Sequence, residues 1–279
     1  MKKLLAGLAF LTFIFICSLK INRDTHYFKR ENVTFRSTKL PADTLITILQ
    51  ISDLHNHVFG SDNKRLIKAI QDANADLIVL TGDLIDKKTM TFEHIFPLIE
   101  QLTESNQHVY FVSGNHEWEN GRTAEFFNAL KKRHVTILNN RHTRMTKGNT
   151  IINLVGIDDA ATEHDNVREA FRNLDCKNYT ILLSHSPGII NQDEPISADL
   201  VLSGHTHGGQ IRLPLIGTLI APGQGFFPAY DKGTFQLTPN LYLYIDSGMG
   251  TTRIPVRFFN QSQLSLITVT GEATKQTTC

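Results

Sequence analysis

The stretch Gly204-His205-Thr206-His207-Gly208-Gly209-Gln210 follows the apolar run Leu200-Val201-Leu202. Apolar, β-forming residues ended by a glycine read as a buried strand entering a tight turn. Two imidazoles at positions i and i+2 therefore leave the strand end together. Glycines on both sides let the backbone come close to a ligand. One such pair carries little weight by itself. Its meaning comes from the other strand ends.

The same device recurs at other strand ends. Residues 45–51 read as a strand that ends in Ser52-Asp53-Leu54-His55. Residues 77–80 form a second apolar run, ending in Thr81-Gly82-Asp83-Leu84-Ile85-Asp86. A strand over 108–112 ends in Ser113-Gly114-Asn115-His116-Glu117, and one over 179–183 ends in Ser184-His185-Ser186-Pro187. Further strands are expected at 150–157, 241–245 and 263–270. Helical spacing of apolar residues appears over 63–74, 92–102, 123–133 and 166–174. Pro97 kinks or delays the second of these helices, and Thr123 reads as the cap of the third. Residues 211–232, rich in Pro and Gly, read as a long loop or hairpin without a clear period, with Phe226 and Phe227 as packing residues.

In open α/β sheets, ligands gather outside the carboxyl ends of strands. Here those ends present Asp53, His55, Asp83, Asn115, His116, His185, His205 and His207. Carboxylate, amide and imidazole donors suit Mn, Fe or Zn. No thiolate joins them, so a structural zinc of the finger type is not expected. The donor supply exceeds one tetrahedral site and suits two adjacent ions, a recurrent solution for phosphate ester hydrolysis.

Composition sets the remaining bounds. Hydrophobic residues make up 41% of the 279 and charged residues 20%, enough apolar material for a substantial core. The formal net charge of +1 gives no reason to expect a stable nucleic-acid complex. The three cysteines, Cys17, Cys176 and Cys279, are too scattered to suggest a disulfide framework. Lys2 and Lys3 precede an uncharged run over 4–19, the layout of a signal anchor, with a cleaved signal peptide as the alternative. Basic residues flank it on both sides, so charge does not set its orientation. Residues 21–44 read as a stalk or linker, or as an edge strand. The main domain is then expected over 45–270, with a frayed tail over 271–279.

The ordered set Asp53-x-His55, Gly82-Asp83-x-x-Asp86, Gly114-Asn115-His116-Glu117, His185 and Gly204-His205-x-His207 resembles the calcineurin-like metallophosphoesterase superfamily. Gly156-Ile157-Asp158-Asp159 and Ser184-His185-Ser186-Pro187 are similar to its bacterial membrane-associated or exported branch. The chain departs from that branch at Asn260-Gln261-Ser262-Gln263, where a Pro-Glu pair is common.

The resemblance implies an α/β (α+β) four-layer sandwich of two mixed β-sheets flanked by helices. It implies one divalent ion on Asp53, His55 and His207, and a second on Asn115, His185 and His205, with Asp83 bridging. His116 would be the general acid or transition-state stabiliser, oriented by Asp86. The implied activity is hydrolysis of a phosphodiester or pyrophosphate bond by metal-activated hydroxide, at the bacterial cytoplasmic membrane through the N-terminus. A UDP-2,3-diacylglucosamine-type lipid is one alternative substrate, and a binding scaffold without turnover is the alternative of another class. Arg253 and Arg257 are read as phosphate contacts or as a solvated face.

Overall fold

The computed structural model describes residues 1–252 and 254–272. A long helix, α1 (Lys2–His26), leads into β1 (Phe28–Ser37) and β2 (Leu45–Ile51). There follow α2 (Lys64–Ala73), β3 (Leu77–Thr81), α3 (Phe96–Ser105), β4 (Val109–Val112), α4 (Asn115–Glu119), α5 (Thr123–Lys132) and β5 (Thr136–Ile137). The second half begins with β6 (Arg141–Lys147), β7 (Thr150–Ile157), α6 (Val167–Ala170), β8 (Tyr179–Ser184) and β9 (Leu200–Ser203). Four short strands come next: β10 (Arg212–Leu213), β11 (Gly217–Thr218), β12 (Ile220–Ala221) and β13 (Gly225–Phe226). The described chain closes with β14 (Gly233–Thr238), β15 (Leu241–Ile245) and β16 (Ser262–Gly271).

Two six-stranded mixed sheets result, in the orders β1-β16-β2-β3-β4-β5 and β14-β15-β9-β8-β7-β6. Within the first, β2, β3 and β4 are parallel neighbours; within the second, β7, β8 and β9 are. Alternate residues feed different cores. Ile48, Val79 and Val112 meet Leu154, Leu183 and Leu202 between the sheets. Leu49, Leu80 and Phe111 point the other way, onto Leu66 of α2, Ile99 of α3 and Phe126 of α5. The far face of the second sheet packs Val155, Leu182 and Val201 against Val167 and Ala170 of α6. Strands buried on both faces read as continuous apolar runs, which is why the central ones were legible. The architecture is the four-layer α/β sandwich expected.

Several local expectations change. The 21–44 stretch holds the edge strand: β1 pairs in parallel with β16 over ten positions, from Phe28 with Ser262 to Ser37 with Gly271. The first sheet therefore starts well before residue 45. Helix α3 starts only at Phe96, with Pro97 in its first turn, where a missing N–H is harmless. Thr123 is the first helical residue, not the cap, and its hydroxyl donates to the carbonyls of Glu117 and Asn120. The stretch 211–232 folds into two small antiparallel hairpins, β10–β11 and β12–β13. Arg253 and, from residue 273 on, the expected tail lie outside the described residues.

Candidate metal centre

Parallel neighbours put their carboxyl ends on one side, and the two sheets present those ends together. Asp53 and His55 follow β2, Asp83 follows β3, and Asn115 and His116 open α4 directly after β4. His185 follows β8, and His205 and His207 follow β9. Backbone bonds lock these turns to one another. Asp53 N donates to Gly82 O at 3.0 Å, Gly204 N to His185 O at 3.0 Å, and His205 N to the Asp53 carboxylate at 3.0 Å.

The cost of this convergence lies in the backbone. Asp53, His55, Asp83, His205 and His207 have φ of 51°, 45°, 52°, 70° and 52°. Left-handed backbone at such residues costs of order 1–3 kcal/mol each and persists only where the surroundings over-determine it. The motif glycines make room. A Cβ at Gly82 would stand 2.6 Å from His185 Nδ1. One at Gly114 would collide with the Asp83 carboxylate, and one at Gly204 with Ser52 and Asp53.

Six donor atoms gather in two neighbouring groups, Asp53, His55 and His207 in one and Asp83, His185 and His205 in the other. His55 Nε2 and His207 Nε2 are 3.2 Å apart, and Asp53 Oδ1 is 3.5 Å from the latter. His185 Nε2 lies 3.0 Å from His205 Nδ1. Asp83 Oδ2 stands between the two groups, 3.6 Å from His55 Nε2 and 3.3 Å from His185 Nε2. Asn115 Oδ1 is buried without a hydrogen-bond partner. Its neighbour His116 donates its backbone N–H to Asp83 Oδ1 at 2.9 Å, which keeps this turn on the same carboxylate.

These donors fit divalent ions. Two ligands on one ion at about 2.0–2.2 Å and 90–109° are roughly 2.8–3.6 Å apart, the spacing found here. His185 Nδ1 contacts Thr81 O at 2.8 Å, and a carbonyl can only accept, so the proton sits on Nδ1. His185 Nε2 is then the ring atom that faces Asp83 and His205, the atom through which this ring would ligate an ion. His55, Asp83 and His116 also form a compact trio, so His116 is close enough to share the space although the resemblance gives it no ion.

Burial prepares the imidazoles. It lowers His55 to about 4 and His205 to about 3, and with the adjacent His55 ring it holds His207 well below its ordinary value. Neutral rings keep the lone pairs that ligation needs. Burial opposes the charging of His185 too, but Asp83 and Asp53 outweigh it and hold this ring well above the ordinary value. Burial raises Asp53 to about 7. It would raise Asp83 as well, yet His185 and His55 overcome it and hold that carboxyl well below the usual carboxylate range.

His116 Nδ1 lies 3.3 Å from Asp86 Oδ2 and 3.2 Å from the Lys87 N–H. The contacts to this ring are thus on its Nδ1 side. Two other residues had no role or a different one in the sequence reading. Glu117 is fully buried, and its two carboxylate oxygens accept from Asp83 N, Leu84 N, Ile85 N and Gly114 N. It fastens the Asp83 turn to the start of α4. Its place inside the quoted Gly114–Glu117 motif was the available signal. Arg257 is neither solvated nor free for a phosphate. It is fully buried, donating to Gly250 O and Ser247 O at 2.8 Å, with Nη2 3.4 Å from His207 Nδ1. Asn260, at the departure from the branch pattern, donates to His207 O at 2.6 Å and Gly209 O at 3.1 Å. Asp158 and Asp159 serve local hydrogen bonds, to Trp118 and Thr162 respectively.

The model of the calcineurin-like phosphoesterase family matches residues 46–209, which include all these donors. The chain belongs to that family. The phosphoesterase is 29% identical over 253 residues to the uncharacterized metallophosphoesterase YkuE of Bacillus subtilis, covering 88% of this chain and 87% of that one. It is 27% identical to a zebrafish (Danio rerio) transmembrane protein with a metallophosphoesterase domain, over 80% of this chain and 52% of the relative. A 5'-nucleotidase precursor from Thermus thermophilus shares the fold at a TM-score of 0.50 and 11% identity, over 81% of this chain and 54% of that one. The phosphoesterase is a metal-dependent phosphoester hydrolase.

Proposed function

We propose that the cleft holds two divalent ions and hydrolyses a phosphodiester or pyrophosphate bond. The carrying observation is the position of Asp83 Oδ2 between His55 and His185, with His207 and Asp53 beyond the first and His205 beyond the second. Asp53, His55 and His207 would hold one ion, and Asn115, His185 and His205 the other, with Asp83 shared. When bound, such a pair supplies an activated water and charge neutralisation at the phosphate.

The chain's own groups do the rest. Asp86 keeps the His116 ring from turning, which leaves Nε2 free to give a proton to the leaving oxygen. Glu117 fixes the turn that carries Asp83. Arg257 and Asn260 fix the turn that carries His207. A nucleotide-linked lipid such as UDP-diacylglucosamine remains within the substrate class. Helix α1, long and apolar enough to cross a membrane, would anchor the enzyme at the bacterial cytoplasmic membrane.

Metal analysis tests this reading. Purified enzyme should lose activity on chelation and regain it with Mn, Fe or Zn. Asp83→Ala should bind fewer ions than Asp53→Ala, because it takes a donor from both groups. Full hydrolysis by a verified metal-free protein would overturn the proposal.

A further inference from the structure

Among the described residues, the domain's exposed apolar side chains concentrate on the two hairpins after the His207 turn. At the first tip Leu215 is fully exposed and Ile216 is 59% exposed. On the second, Ile220, Phe226 and Phe227 are each more than half exposed, so the two phenylalanines expected as packing residues lie mostly on the surface. Contiguous exposed apolar side chains mark an interaction surface.

Phe259 links the first of these tips to the end of α1. That ring lines one groove with Leu213, Leu215 and Ile216, and it lies 5.4 Å from Lys20 Nζ. Lys20 is the first charged residue after the apolar run of α1, whose side chains bury nothing in the protein. The helix end is also docked firmly: Asp24 and Thr25 are buried, Thr25 Oγ1 accepts from Arg257 N at 2.8 Å, and Gln261 Nε2 donates to Tyr27 O at 3.0 Å. With the run in hydrocarbon, Lys20 stands at the headgroups. Phe259 and the Leu215 tip then stand there as well.

The second hairpin forms a wall of the cleft. Pro222 and Gly223 line a pocket with His205, Ser186 and Tyr230, and a Cβ at Gly223 would come within 3.2 Å of His205 Nε2. One short segment therefore carries the apolar surface on one side and borders the proposed metals on the other.

We propose that the two hairpins are a second membrane contact. Their apolar side chains enter the headgroup layer of the bilayer that α1 crosses and hold the mouth of the cleft against it. The phosphoester hydrolysed is then carried by an amphiphile in that same bilayer, an extension that rests on the hydrolytic reading above.

The test uses the full chain in phosphatidylcholine–phosphatidylglycerol proteoliposomes with brominated acyl chains. Trp118 is the single native tryptophan and supplies the baseline. Leu215→Trp and Phe226→Trp each add one indole. Its emission should be quenched by the brominated lipid well beyond the baseline in both variants. Added indoles quenched no more than Trp118 would overturn the docking.

A second measurement compares two nitrophenyl phosphodiesters, one soluble and one of diacylglycerol held in vesicles. Leu215→Glu combined with Ile216→Glu should lower the rate on the lipid ester about tenfold and leave the soluble ester unchanged. Equal rates for variant and native protein on both esters, or equal losses on both, would overturn the substrate extension. If the metal-loaded native enzyme hydrolysed neither ester, the hydrolytic reading would fall while the quenching would still decide the docking.

Discussion

Replacing Glu117 by Gln exchanges one oxygen for an amide nitrogen in a site with no exposed surface. In the native protein Oε2 accepts from Asp83 N and Gly114 N, each at 2.8 Å, and Oε1 from Leu84 N at 2.7 Å and Ile85 N at 3.3 Å. Burial and the nearby Asp83 push this carboxyl up, and the backbone N–H groups pull it down. Both oxygens meet only donors, so the ionised form is the one the cage fits. A glutamine keeps one acceptor. Its NH2 must face the other pair of N–H groups, donor against donor. A buried donor left without a partner costs about 1–3 kcal/mol, so two cost roughly 2–6 kcal/mol. At about 2–4 °C per kcal/mol for a domain of this size, Tm should fall by roughly 4–24 °C. The same N–H groups belong to the turn that carries Asp83, so metal content should fall too. Calorimetry and metal analysis on one preparation give both numbers. A Glu117→Gln enzyme with native Tm and native metal content would refute the argument. One with lowered Tm but both ions and full activity would refute its second half.

Two further outcomes are expected. His116→Ala should keep its metals and lose activity unevenly: little on a nitrophenyl ester, whose leaving group departs as an anion, and about 10²–10⁴-fold on an alkyl diester; equal loss on both would assign the ring to phosphoryl charge. Burial would raise Asp76, but Lys147 and Thr47 outweigh it and hold its carboxyl below the ordinary value, so the stability it provides is present above the unfolded pKa of about 3.9 and lost as pH falls through the lower folded value. The Tm difference between native protein and Asp76→Asn should therefore be largest near neutrality and shrink below about pH 4; a constant difference in Tm across that range would show that the contact is not ionic.

The donors were legible because each follows an apolar run within a few residues, and a strand buried on both faces announces where it ends. The groups that hold them were not, because their partners are distant in the chain and mostly backbone. Nothing local distinguishes Arg257 from a surface arginine; its burial comes from carbonyls of Ser247 and Gly250 and from a turn completed by Thr25 of α1. The same helix end explains the edge strand. Phe28–Ser37 carries Lys29, Arg30, Glu31 and Arg36, as suits an edge strand open to solvent, and so resembles a linker. Only its pairing with β16 shows that the chain re-enters the fold directly after α1. A flexible stalk would let the cleft face any direction. Residues 24–28 instead fasten the apolar helix to Arg257 and Ser262, so the orientation of the cleft relative to α1 is a property of the fold.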